Sequence, residues 1–331
     1  MRLPKFEYSA PERVDDVCRL LDKYGDAAAV IAGGTDLLIR MKQRIISPKY
    51  LVDLKSISQL YGMSYDGSAL KIGPLTKIGD LERSSVLKQL FPGLSVAAKK
   101  VATAQIRNMG TIGGNICLGS KCYLDNRWEF WGQRREPCLK RGGRRCYVSP
   151  KSSSCIAPFK ADTVPIMIAL EGRLELRSAS ERREIALEEF YSGDGASVTV
   201  LRPGEILTQI QIPKPLERTA SVYLKYSLRK SIDFPLIGIA VKLALDQSYK
   251  VCTDIRIVMG GLNASPIRAH KAESTLIGKE ITNEGILDAS EKVSEEIAIY
   301  PGEETSLKYQ RTMLRIIVEQ TIQQAFRMLR L

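Results

Sequence analysis

Histidine is almost missing from this chain: one, His270, in 331 residues. No Ser-His-Asp, paired-carboxylate or H-E-x-x-H constellation is present, so the usual side-chain machinery of hydrolysis is excluded. No apolar run is long enough to span a bilayer. The opening "MRLPKFEYSAPERVDD" lacks the apolar core of a secretory signal, which predicts a cytoplasmic protein with no membrane partner. Neither G-x-G-x-x-G nor the Walker A pattern occurs, which argues against a Rossmann NAD site and a P-loop. Internal repeats and low-complexity tails are also lacking.

The composition, 44% hydrophobic and 26% charged, is that of an ordinary globular protein long enough for two or three domains. The net charge of +12 admits an acidic partner or nucleic acid. That excess is local. Residues 121–160 hold ten Lys/Arg against three Asp/Glu, a charge of +7, together with both tryptophans, Trp128 and Trp131. Five of the seven cysteines (18, 117, 122, 138, 146, 155, 252) fall between 117 and 155. A reducing compartment disfavours disulfides, so the cluster reads as metal binding or redox chemistry. The spacing C-x15-C-x7-C-x8-C from Cys122 to Cys155 is neither a zinc ribbon nor a ferredoxin run, and it leaves zinc and iron–sulfur both open.

The periodicity predicts a helix over 10–24, then a buried strand, a glycine turn and an apolar continuation in "AAVIAGGTDLLI". "KYLVDLKS" and "ALKIGP" read as short strands, and the stretch from Thr76 to Thr103 as mostly helical with a break near Pro92. "PIMIALEGRLELRS" is an apolar run followed by an alternating strand, and "EILTQIQIPKP" a strand ended by prolines. Residues 213–218 form a candidate linker. Beyond it, "SVYLKYSL", "LIGIAVKLAL" and "DIRIVMGGL" look like strands, followed by helices near 268–278 and 283–297 and a long final helix. Strands followed by helices predict an α+β C-terminal domain.

Two turns share a design. Gly33, Gly34, Thr35 and Asp36 form the first; Thr111, Gly113, Gly114 and Asn115 form the second. Adjacent glycines let backbone N–H groups approach an anion, so two such turns can clamp one pyrophosphate from both sides. "VIAGGTDLLIRMK" and "VATAQIRNMGTIGGNI" resemble the FAD-binding subunits of the molybdenum hydroxylase family, which includes xanthine dehydrogenase and carbon monoxide dehydrogenase flavoproteins. "ADTVPIMIAL", "GEILTQIQIP", "LKYSLRKSIDFPLIGIAVKL" and "RIVMGGLNASPIRAHKAESTLIGK" continue the likeness along nearly the whole chain. The resemblance implies an α+β fold: a two-part FAD-binding domain (1–55 and 56–215) of the PCMH type and a C-terminal domain over 219–331. It implies that Ile31, Ala32, Gly33, Gly34, Thr35, Asp36, Leu37, Thr111, Gly113, Gly114, Asn115 and Asp162 bind FAD, with Leu207 and Lys225 near the isoalloxazine. The first turn lacks His and Cys, so the FAD is expected to be non-covalent.

About forty residues intervene between "GGNI" and the Asp162 block where ordinary family members have few. This insertion, 117–158, resembles that of 4-hydroxybenzoyl-CoA reductase beta subunits. The resemblance implies a 4Fe-4S cluster on Cys122, Cys138, Cys146 and Cys155; Cys117, before the insertion proper, reads as a buried thiol outside the set, and the tryptophans either shield the cluster from water or pack a small core for the loop. It also implies partners: a molybdenum-cofactor large subunit, a small 2Fe-2S subunit, and ferredoxin or another low-potential donor, in a heterotrimer or a dimer of heterotrimers. The expected function is electron transfer toward a reductive aromatic dehydroxylation. The alternatives are flow from FAD to NAD or a quinone in a hydroxylating enzyme, and, from the charge, nucleic-acid binding. His270 is expected at the surface.

Overall fold

The computed structural model describes residues 2–126, 136–300 and 305–330; Trp128 and Trp131 lie outside the described residues. Three sheets organise the chain. The first comprises β1 (Glu7–Ser9), β2 (Ala28–Ile31) and β3 (Tyr50–Asp53), parallel throughout in the order β1-β3-β2. Helix Val14–Tyr24 makes the crossover from β1. Asp15 and Asp16 in its first turn and Lys23 in its last suit the helix dipole, while Val14, Val17 and Cys18 are buried.

The second sheet is antiparallel: β4 (Met63–Tyr65), β5 (Ala69–Ile72), β6 (Arg173–Arg177), β7 (Arg182–Ala186) and β8 (Ile206–Pro213), ordered β4-β5-β8-β6-β7. Between β5 and β6 run helices Ile78–Arg83, Ser85–Leu90 and Pro92–Lys100. Ser84 caps the second of these by accepting the Leu87 N–H. Pro92 stands in the first turn of the third. A missing N–H costs nothing there, so the proline starts a helix where the sequence shows a break. The apolar run after Asp162 is helix Thr163–Ala169, buried at every position.

The third sheet is β9 (Thr219–Tyr226), β10 (Ile237–Leu245), β11 (Cys252–Gly260) and β12 (Ile267–Arg268), antiparallel in the order β12-β11-β10-β9. Residues 214–218, with Leu216 69% exposed, join β8 to β9. Helices His270–Leu276, Asn283–Glu296 and Leu307–Arg330 bury one face of this sheet. Helices Thr163–Ala169 and Pro92–Lys100 pack on the strands from the other side. Hence all nine residues of β10 are buried, and its sequence runs apolar without alternation. Lys242 is the exception within it. Its ammonium is neutralised by Glu171 at 2.8 Å and Asp254 at 2.6 Å, and Arg256 joins Glu171 at 2.7 Å. This ionic seam bonds the second and third sheets.

Candidate functional site

The two glycine turns, 80 residues apart in sequence, touch. A Cβ on Gly33 would lie 2.3 Å from the Met109 carbonyl oxygen and 2.9 Å from the Gly110 Cα. Only glycine lets the turns meet. Ile31, buried at the end of β2, and Ala32 lead into the first turn; Leu37 opens the helix Leu37–Lys42 that leaves it. Among the described residues, the N–H groups of Gly33, Gly34, Thr35 and Asp36 donate to no acceptor in the chain. Four successive free donors against a second glycine turn make a concavity suited to an anion. In the second turn, Thr111 caps the helix Ile112–Ile116 by accepting the Gly114 N–H at 3.2 Å. Asn115 Oδ1 accepts from the Thr163 hydroxyl at 2.7 Å.

That bond brings Asp162 to the site. Its carboxylate is 4% exposed and accepts from Tyr223 at 2.8 Å and Lys225 Nζ at 3.0 Å. Burial pushes its pKa up to about 6, against the pull of Lys225 first and then Tyr223. Lys225 Nζ also donates to the carbonyls of Asp233 (2.6 Å) and Lys100 (3.0 Å), so it joins β9 to two other segments. Leu207 is a core residue of the five-stranded sheet, opposite Leu176 and in the same hydrophobic cluster as Ile112 and Ile116. Cys117 corrects an expectation. It is solvent-accessible rather than buried, although protein surrounds it closely enough to push its thiol up to about 12.

The insertion is pinched at its base, where the Lys121 N–H donates to the Pro158 carbonyl at 2.9 Å. Within it, Cys122, Cys138, Cys146 and Cys155 line one cavity of about 120 Å³. Cys138 leads a tight return through Leu139–Arg141, in which Gly143 lies against Pro137: a Cβ there would sit 1.6 Å from the Pro137 oxygen. Arg141 pairs with the buried Asp125 at 2.8 Å. Cys155 is fixed by its N–H to Asp194 at 3.1 Å. The Ser149 N–H donates to the Cys146 sulfur at 3.4 Å. Burial raises the thiols of Cys122 and Cys155, the latter to about 11; backbone N–H groups of Asp125 and Leu124 oppose it at Cys122, and that of Ala157 at Cys155. Lys140 lies beside them, bonded to Ser120 Oγ and to the Gly195 carbonyl (2.8 Å).

As their side chains stand, no three metal-ligating groups among the described residues converge on one point. The residues fit a metal–sulfur centre in kind. Four thiols and no other metal ligand face one cavity, beside N–H donors and a lysine that lower the cost of thiolate. Bound iron would supply the positive charge that deprotonates them.

Lys121 links the two regions. Its ammonium pairs with Asp36 of the first turn and lies 5.6 Å from the Phe234 ring, while its neighbour Cys122 faces the cavity. The sequence shows Lys121 only as one charge in a basic stretch; nothing in the spacing marks a partner 85 residues back. His270 is exposed, as expected, near Glu188 at 3.5 Å.

Two families match. Residues 4–215 match the FAD binding domain in molybdopterin dehydrogenase, and residues 222–325 match the CO dehydrogenase flavoprotein C-terminal domain. The chain is 30% identical to the carbon monoxide dehydrogenase medium chain of Hydrogenophaga pseudoflava over 87% of its own length and 85% of that protein's. It is 28% identical to the nicotinate dehydrogenase FAD-subunit of Eubacterium barkeri (84% and 82%) and 25% identical to the xanthine dehydrogenase FAD-binding subunit of Escherichia coli O157:H7 (97% of each). Among solved structures, the Hydrogenophaga pseudoflava carbon monoxide dehydrogenase lacking the Mo-pyranopterin moiety superposes with a TM-score of 0.82. It is 27% identical and covers 98% of this chain and 99% of that one. No helix among the described residues is long and apolar enough to cross a membrane.

Proposed function

The chain belongs to the FAD-binding subunits of the molybdenum hydroxylase family, and from that membership we propose that it carries two redox centres, FAD and a 4Fe-4S cluster. The observation that supports the second centre is that Cys122, Cys138, Cys146 and Cys155 line one cavity, the first of them one residue beyond the Lys121–Asp36 pair. In this reading the chain relays electrons from a low-potential donor such as ferredoxin toward a small 2Fe-2S subunit and a molybdenum-cofactor large subunit. The assembly is a heterotrimer or a dimer of heterotrimers in the cytoplasm. The complex removes a phenolic hydroxyl reductively, in the manner of a 4-hydroxybenzoyl-CoA reductase.

When bound, the flavin and the cluster supply the electron-carrying chemistry; the protein binds, orients and tunes them. The free N–H groups of Gly33–Asp36 hold the pyrophosphate of a non-covalent FAD, with Thr111, Gly113, Gly114 and Asn115 on its other side. Asp162, held by Tyr223 and Lys225, offers a carboxylate to the flavin. The four cysteines ligate iron. Lys140 offsets part of the charge that four thiolates bring.

A second reading reverses the flow, from FAD to NAD or a quinone. It is favoured by the relatives named as nicotinate and xanthine dehydrogenases.

The test is anaerobic purification with flavin, iron, sulfide and zinc measured on one sample. The expected result is one FAD with about four iron and four sulfide per chain. FAD without iron removes the cluster and favours the second reading, which rapid reduction of the flavin by NADH would then support. Zinc without FAD overturns both.

A further inference from the structure

The four-cysteine cavity is also lined by residues of the C-terminal domain, among them Tyr300, Thr305 and Gln310. Gln310, in the first turn of helix Leu307–Arg330, is 6% exposed, and its amide oxygen is buried without a hydrogen-bond partner. The Thr305 hydroxyl is likewise buried and unpartnered. Among the described residues five buried side-chain atoms share this condition, and two of them belong to residues that line this one cavity. A buried polar group left unpaired carries its full desolvation cost, so two such groups in one small space imply an occupant that bonds them.

The occupant's chemistry follows from the cysteines that share the cavity. Four cysteine sulfurs ligating iron make a centre whose outward-facing atoms are sulfur, all acceptors. Gln310 offers two amide hydrogens once the side-chain amide turns half a revolution, and Thr305 offers one hydroxyl hydrogen. The helix that carries Gln310 is held in place, since Tyr309 bonds the Tyr226 hydroxyl at the end of β9.

We propose that Gln310 and Thr305 are positioning residues that donate hydrogen bonds to the sulfur of a centre held by Cys122, Cys138, Cys146 and Cys155, and so raise its reduction potential. The inference rests on the cluster reading above. Donors aimed at cluster sulfur stabilise the reduced state, which carries one more negative charge. They also make the C-terminal domain part of a centre whose ligands all come from the insertion.

The test uses the whole chain with its partner subunits, purified anaerobically as wild type, Gln310→Leu and Thr305→Val. Iron and sulfide are assayed, and the cluster midpoint is measured by an EPR-monitored redox titration. The expected result is wild-type iron content with a lowered midpoint. At a fixed potential the reduced-to-oxidised ratio falls about tenfold in Gln310→Leu, which is about 59 mV for one electron, and less in Thr305→Val. Full iron content with the wild-type midpoint in both variants overturns this inference and leaves the cluster intact. Absence from the wild type of any four-iron signal, with no iron beyond that of the 2Fe-2S subunit, is the failure of the cluster reading itself, and this inference falls with it. Should Gln310→Leu not fold, Thr305→Val alone decides by the same midpoint.

Discussion

At Gly33 a single methyl group is too much. Its carbon would occupy the space of the Met109 carbonyl, so Gly33→Ala must push apart two backbones that hold each other in place. The expected outcome is a folded protein whose FAD affinity falls at least about tenfold, equivalent to about 1.4 kcal/mol, read by flavin titration of the apoprotein. Unchanged affinity would mean that the contact between turns does not shape the flavin site. Asp162 gives a pH-dependent counterpart. Its pKa in the folded chain, about 6, lies above the value near 4 of an unfolded aspartate. The native state therefore binds the extra proton between those values. The group's contribution to stability is fully present below about pH 4 and is lost as pH rises through about 6, with a steepest slope of about 1.1 kcal/mol per pH unit near pH 5. Asp162→Asn, which keeps the size of the side chain, should flatten that part of the profile in denaturant unfolding of the apoprotein. Parallel profiles for the two proteins would refute the assignment.

Among the elements, β10 shows most plainly what sequence can and cannot say. "LIGIAVKLAL" reads as a strand, but one lysine in an apolar run says nothing of what neutralises it. The answer comes from Glu171 in the turn before β6 and from Asp254 on the adjoining strand. Lys242→Met should cost about 2 kcal/mol in chemical denaturation, because Asp254 loses its cation while Glu171 keeps Arg256. A neutral effect would show that the seam contributes only specificity. Helices with a clear apolar stripe and end signals, such as Val14–Tyr24 and Asn283–Glu296, were legible within a few residues. The run "TVPIMIA" was not assignable, since a segment buried on every side has no periodicity to read. Glycine turns, an aspartate and cysteines are visible locally as candidates. The pairs that turn them into sites, Asn115 with Thr163 and Lys121 with Asp36, span 48 and 85 residues and depend on tertiary packing. Gln310, nearly two hundred residues beyond Cys122, carries no local signal at all.

Over the whole molecule, the two proposed centres occupy different walls. The flavin turns draw on the first two sheets, whereas the cysteine cavity lies between the insertion and the third sheet with its helices. Removal of iron by an oxidant and a chelator should therefore leave FAD bound, and Cys122→Ser should reduce iron content without a matching loss of flavin absorbance. Joint loss of both in that variant would show that the Lys121–Asp36 pair makes the two sites one folding unit. The hydrogen bond from Lys121 to Pro158 has a bearing on chain entropy. A segment whose ends already meet costs a fold little in closure entropy. If the segment binds iron as proposed, a framework shared with carbon monoxide and xanthine dehydrogenase subunits would carry a second electron carrier on a loop closed at its own base.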